Sequence, residues 1–466
     1  MNNTFDVILV GNGSIGLAIA FSLSKKNKKL KIAIIGPQNR NEAASLAAGF
    51  MIACFAEVEY DTLNSDVGKK KFELTMQSRD LWPNRIQELN SVNKNKLKIN
   101  NGTFVINNAS ADNLDDYNFL AIENALKKYS EKYEFFDCNK IPGYNPDPKK
   151  RSLKTIYIPN EGSINAKETF NSYENYLKKN KNIFFINSFV KDIKIKNNRI
   201  EKLVDEKNNS YTSSNVVVCN GAYSKILIEK IKHLNDRVQK IFYGTGTALI
   251  LEVDIKKNML DSVIRTPNRG MACGIHVIPL DSKHFYVGAT NRLSHIPIND
   301  PILSSIFALQ KSLVEEVNVS YARSRVKKIL IGHRPTSVDT FPLIGKTSIK
   351  GLWIVTANKR DGYTMSPLIG NEIANQISDN KFDKNFSLFN PERKIYKLMS
   401  KKDAIDKTIK HYISAAYQHG LVIPNIDSIE KYKELYRTEI ENIYKKNKIN
   451  YGVPPEILNM YKYGRV

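Results

Sequence analysis

The chain has 466 residues, 42% hydrophobic and 25% charged, and carries a net charge of +23 at pH 7. That length suits two interleaved domains better than one core, and no run of 18 apolar residues is present to cross a membrane as a helix. Cys54, Cys138, Cys219 and Cys273 are scattered without a C-x-x-C spacing, which points away from a disulfide framework or a zinc site and towards a reduced, cytoplasmic protein with no metal.

Residues 5–10 read as a buried parallel strand, 14–26 as a helix and 31–35 as a second strand. Between the first two lies Gly11-Asn12-Gly13-Ser14-Ile15-Gly16, a G-x-G-x-x-G after a strand and opening a helix. The first glycine permits the tight turn, the second lets backbone approach a pyrophosphate, and the third allows close packing of helix on strand. The helix N-terminus then offers free N–H groups to the phosphates. The acidic residue expected at the end of the second strand is missing: Gly36-Pro37 stands there, Glu42 is too far along, and Asn39, Arg40 or backbone groups are left to hold the adenosine end.

Residues 64–90 read as helical, with Phe72, Leu74, Leu81 and Ile86 as core positions and Pro83 as a kink or break. Residues 96–107 read as a hairpin. Strand signals at 183–186, 189–195 and 216–218 return to the nucleotide-binding sheet, and those at 248–253, 274–279 and 284–289 form a second, antiparallel sheet. A helix near 301–318, a strand at 352–356 and a helix at 367–377 follow. Ile405, Ile409, Tyr412, Ile413 and Ala416 mark an amphipathic helix that stops at Gly420. A second helix begins near Asp427, with Glu430 as capping-box partner, and turns Tyr432, Leu435, Tyr436, Ile440 and Ile443 inward.

Several segments together resemble the FAD-dependent D-amino-acid oxidase superfamily, in its glycine oxidase and sarcosine oxidase-like branch. Residues 43–49 (AASLAAG) resemble the small-residue segment that wraps the pyrophosphate and flavin. VVVCNGAYS at 216–224 resembles the strand and turn closing over the cofactor. YVGAT at 286–290 is similar to a strand of the substrate domain, GHRP at 332–335 to the signature before the flavin site, and Arg360-Asp361-Gly362 with Ser366-Pro367 to the loop and helix at the isoalloxazine ring. The likeness spans residues 5 to about 380.

The resemblance implies FAD held by Gly11, Gly13, Ser14, Ile15, Gly16, Ala44, Ser45, Ala48, Gly49, Gly221, Gly362, Tyr363, Thr364 and Met365. Backbone N–H groups from Gly362 to Met365, ahead of a helix, suit the negative charge of a reduced flavin. It also implies Arg334 as the bidentate anchor of a substrate carboxylate, with Arg360 as a second arginine near the mouth. His276 stands where a tyrosine hydroxyl is expected, and either binds an anionic substrate or is a satisfied strand histidine. The implied reaction is oxidation of the C–N bond of an amino acid or secondary amine by hydride transfer to flavin N5, with oxygen as acceptor and no protein base required.

The implied fold is α/β: a Rossmann-type FAD-binding domain (1–90, 150–225 and 326–385) interleaved with an antiparallel-sheet substrate domain (91–149 and 226–325), plus a helical C-terminal extension (386–466). That extension covers the active site, forms a homo-oligomer contact, or packs on the body. The surplus positive charge suits an acidic macromolecular partner such as RNA or a carrier protein. Alternatively it is a solvated surface, since only 16 of the 70 basic residues are Arg. Two rival readings follow: a tRNA-modifying or tailoring oxidase of the same fold acting on a macromolecule-bound amine, and a flavin-binding protein without turnover.

Overall fold

A computed structural model describes residues 3–40, 43–108, 113–253, 259–422 and 425–466; Glu42 lies outside them. The apolar run Thr4–Val10 forms the centre of a mostly parallel sheet. Ser210–Val218 and then Leu352–Thr356 lie on one side, and Ile32–Ile35 and Ile183–Ile186 on the other; Leu343–Lys346 closes one edge antiparallel. Residues 7–10, 32–35, 216–218 and 352–355 are buried on both faces, which explains why they are continuous apolar runs instead of alternating ones. Ser14–Lys26 packs on one face against Ser366–Ser378. The approach is so close that a Cβ at Gly370 would stand 2.6 Å from the Ala18 carbonyl oxygen.

The second sheet runs Arg292–Ser294, Ile241–Glu252, His284–Gly288, His276–Pro279, Val263–Arg265, Asn100–Asn108, Ser152–Ser163 and Met51–Ile52, with Arg325–Ser337 on the far side of Ile241–Glu252. It is antiparallel except where Val263–Arg265 meets Asn100–Asn108. Pairing moves two segments relative to the expected boundaries. Ser152–Ser163 and Arg325–Ser337 belong to this sheet and not to the nucleotide-binding one. The expected hairpin at 96–107 is one strand, Asn100–Asn108, whose antiparallel partner is the distant Ser152–Ser163.

Asp66–Asn90 is one helix, unbroken at Pro83. Pro83 itself is exposed, and the carbonyl that its missing N–H leaves without a helical partner is that of Arg79. Leu81 is half-buried; its neighbour Trp82 fills the core instead, donating its indole N–H to the Thr364 carbonyl at 3.2 Å.

The C-terminal extension contains Lys401–Gln418, Ile426–Lys446 and the unforeseen Pro455–Lys462. The second of these is capped by Asn425, whose side chain accepts from Ser428 N–H, and not by Asp427. Ile405, Ile409, Ile413, Ile440 and Ile443 are buried together over Phe242 and Val338, whereas Leu435 is exposed. Among the described residues no helix is long and apolar enough to cross a membrane.

Candidate active site

The carboxyl ends of Thr4–Val10 and Ser210–Val218 meet at the glycine turn. Gly11 has φ +125°, and a Cβ there would stand 2.6 Å from the Cys219 carbonyl oxygen; one at Gly16 would overlap the Gly11 carbonyl. Those two glycines are required by the protein's own packing. Gly13 differs: the nearest atom to a Cβ would be Ser45 Oγ at 3.8 Å. It is the N-cap of Ser14–Lys26, and no side chain caps that helix or places an acid in its first turn, so the free N–H groups face open space. Gly221, with φ +62° and nothing within 4 Å of a Cβ, borders the same carboxyl ends. This cradle, closed behind and open in front, fits a dinucleotide pyrophosphate.

Ser14 Oγ lies 3.1 Å from Ser45 Oγ, which brings the 44–49 segment onto the turn. Ala44 and Ala47 pack on Gly332, and Gly49 is pressed beneath His276, Ile278 and Tyr286. The small residues thus let the cofactor segment run between the two sheets. Gly36 has a local reason as well: a Cβ there would come within 2.5 Å of the Asn12 side chain, which donates to the Pro37 carbonyl at 2.9 Å. Arg40 donates to the Asn12 carbonyl at 2.9 Å and pairs with Glu174, so it braces the turn.

In the 362–365 loop the Met365 N–H is taken by the Asp361 carbonyl at 2.8 Å and does not face a ligand. Tyr363 is buried between Phe50 and Trp82, at 4.1 and 4.6 Å between ring centroids, and its hydroxyl lies 3.2 Å from Thr169 Oγ1. Thr364 Oγ1 donates to the Met51 carbonyl at 3.2 Å. These contacts fix the loop's shape.

On the substrate side, Arg334 stands opposite Gly244 in the sheet, and its guanidinium lies where a Cβ of Gly246 would be. Nη1 donates to the Thr290 carbonyl at 2.8 Å. Among the described residues no carboxylate pairs with Arg334. The contrast is with Arg265 on Glu57, Arg269 on Asp115 and Glu316, and Arg393 on Asp339. Arg360 is likewise engaged, 2.6 Å from Glu59 and 3.6 Å from Glu57. Against the cost of burial, Arg265 and Arg360 hold the Glu57 carboxyl down at about 2. Sequence reasoning missed Glu57, Glu59 and Gly246; the G-x-G in the Gly244–Gly246 stretch was the only signal for the last.

His276 is 7% exposed and stacks on Tyr286, with 5.6 Å between centroids and 19° between planes. Burial, then Arg265 and Arg334, hold its pKa down at about 3 against the opposing pull of Glu57, so it is neutral at pH 7. The unfolded chain takes up this proton near pH 6.5. As pH falls from there towards 3 the unfolded state therefore binds more protons, and stability is lost by up to ~1.4 kcal/mol per pH unit. His411, held down at about 4 by burial and Lys407, acts in the same direction. His276→Gln should make the fall in Tm between pH 6.5 and 4 shallower; an unchanged slope in a calorimetric pH series would place the acid sensitivity elsewhere.

A family model described as FAD dependent oxidoreductase (DAO) matches residues 6–376. Glycine oxidase of Geobacillus kaustophilus is 21% identical over 389 residues, covering 81% of this chain and 94% of that protein. The crystal structure of glycine oxidase from Bacillus cereus superposes with a TM-score of 0.69 at 20% identity, over 84% of this chain and 99% of the other. Iminodiacetate oxidase from Chelativorans gives 0.67 at 16%, over 83% and 98%.

Proposed function

The chain belongs to the DAO family of FAD dependent oxidoreductases, and from that membership we propose that it oxidises the C–N bond of a small carboxylated amine, either an amino acid or a secondary amine, whose carboxylate is seated on Arg334. The observation that carries this reading is Arg334 itself. It is a half-buried strand arginine, fixed by the Thr290 carbonyl and by the space above Gly246 and without an acidic partner among the described residues. A cation so placed can receive an anion from outside, and a guanidinium fork matches a carboxylate with two parallel hydrogen bonds.

Bound FAD supplies the two-electron acceptor for the hydride that leaves the carbon beside nitrogen. The chain's own part is positioning. Arg334 sets the direction of the carboxylate, and the His276–Tyr286 stack walls the pocket above Gly49. His276, neutral and buried, adds no charge to compete for the carboxylate. Glu57 and Glu59 stay with their arginines and are not free to act as bases.

The test starts from protein purified with its yellow cofactor, which acid should release intact as FAD. Without oxygen, glycine or sarcosine should bleach the flavin band, and methylamine or dimethylamine should not. Equal bleaching by the decarboxylated pair would remove Arg334 from the reading. Peroxide formed in air would identify dioxygen as the acceptor; turnover only with an added dye would make the protein a dehydrogenase.

A further inference from the structure

The C-terminal helices roof a cavity of about 190 Å³. Glu57, Glu59 and Arg360 line its floor, and Lys407 and His411 face them from Lys401–Gln418, beyond the family match that ends at residue 376. One wall is Gly270, Met271 and Ala272, in the loop of the substrate sheet that joins Val263–Arg265 to His276–Pro279.

That loop is held from both sides. The helix Lys401–Gln418 engages both polar backbone groups of Gly270: the N–H donates to Ser414 Oγ at 3.1 Å, and the carbonyl accepts from His411 Nδ1. Helix and loop lie so close that a Cβ at Gly270, where φ is +49°, would stand 3.1 Å from Ala415 Cβ. One residue on, the Met271 carbonyl accepts from Asn291 Nδ2 at 2.9 Å.

Asn291 in turn flanks the carboxylate anchor. A Cβ at Gly244 would stand 2.9 Å from Asn291 Oδ1 and 3.3 Å from Arg334 Cβ, so both side chains occupy one face of that glycine. The stem of Arg334 therefore leaves the sheet beside the Asn291 carboxamide. Its guanidinium crosses Gly246 to the carbonyl of Thr290, the residue before Asn291. Thr290 is pinned to the strand by Thr247, whose carbonyl accepts the Thr290 N–H at 3.2 Å and whose N–H donates to Thr290 Oγ1 at 3.0 Å. The strand thus sets the head of Arg334, and Asn291 walls its stem. Asn291 is only half-buried, and a side chain with access to water keeps several rotamers unless a partner selects one. The Met271 carbonyl is that partner.

We propose that the C-terminal extension is a positioning element for the substrate carboxylate: Ser414 and His411 fix Gly270 and Met271, Met271 fixes Asn291, and Asn291 holds the stem of Arg334. All three side chains act through Arg334. The inference rests on the carboxylated-amine reading and gives the extension, which lies outside the family match, a part in it.

The test uses the FAD-loaded protein, with sarcosine as substrate and methoxyacetate, its amine-free analogue, as the probe of carboxylate binding. Asn291→Ala and Ser414→Ala should each lower kcat/KM for sarcosine and weaken methoxyacetate about three- to tenfold, with FAD content unchanged. The double variant should be no worse than Asn291→Ala, because one path carries both effects. In an Arg334→Lys background neither substitution should cost anything further. His411→Phe, which keeps a ring and loses the donor, replaces the Ser414 arm if that variant folds poorly. Losses that multiply in the double variant, or that persist in full with Arg334→Lys, overturn the proposal. A lowered Tm with wild-type kcat/KM and methoxyacetate affinity overturns it as well, since the contacts would then serve folding alone. If no carboxylated amine bleaches the flavin yet methoxyacetate shows the non-additive losses, the positioning path stands and the oxidation reading falls. Normal bleaching by sarcosine with no loss in either variant does the reverse.

Discussion

Gly13→Val is expected to give a folded protein that purifies without FAD. At this position the backbone has φ −76° and ψ −171°, an extended conformation open to any residue. The nearest protein atom to the new Cβ is Ser45 Oγ, 3.8 Å away, so the fold meets no obstruction. The obstruction is to the ligand, because the added methyls occupy the space over the uncapped helix N-terminus where a pyrophosphate would sit. At least a hundredfold weaker FAD binding, about 3 kcal/mol, should follow. It is read from the ratio of absorbance near 450 nm to that at 280 nm after reconstitution, with far-ultraviolet circular dichroism as the check on folding. Gly11→Ala makes the contrast, since its Cβ meets the Cys219 carbonyl at φ +125° and the protein itself should be destabilised. Retention of full flavin by Gly13→Val would reduce the motif to a turn.

The glycine turn was legible because Gly11 and Gly16 carry local packing demands that sequence spacing records, and because a buried parallel strand is a continuous apolar run. What sequence could not supply is partnership across the sheets. Arg360 stands as a free active-site arginine in the sequence, yet Glu57 and Glu59, some three hundred residues earlier, pair with it. Ser152–Ser163 carries no periodicity that states which of two sheets it joins, and only its pairing with Asn100–Asn108 decides. Pro83 signalled a break from its chemistry, whereas the helix around it runs on unbroken. The roof of the cavity was illegible for a related reason. The stripe through Ile405, Ile409 and Ile413 announced a buried face but said nothing of His411 and Lys407, which lie between those isoleucines and face the core's ion pairs.

Arg334→Lys should cut kcat/KM for a carboxylated amine by roughly 30- to 1000-fold, about 2–4 kcal/mol, while leaving FAD content and Tm nearly unchanged. Charge is kept, so a loss of this size measures geometry. The guanidinium now spends Nη1 on the Thr290 carbonyl and crosses the face of Gly246, which orients its remaining N–H groups as a planar fork. An ammonium has no plane; held by Thr290 it has no fixed direction for a carboxylate, and released from Thr290 it leaves that carbonyl's bond unmade. Both kcat and KM should suffer, because a carboxylate held by one point charge neither binds as tightly nor presents its α-carbon at one angle. Folding should be spared, since no carboxylate among the described residues depends on Arg334, unlike Arg269, which is buried and pairs with both Asp115 and Glu316. Arg269→Lys is therefore the paired control, expected to lower Tm first. If Arg334→Lys instead unfolded the protein, the residue would be a structural member of the sheet. If it turned over glycine and sarcosine at the wild-type rate, the carboxylate would be held elsewhere.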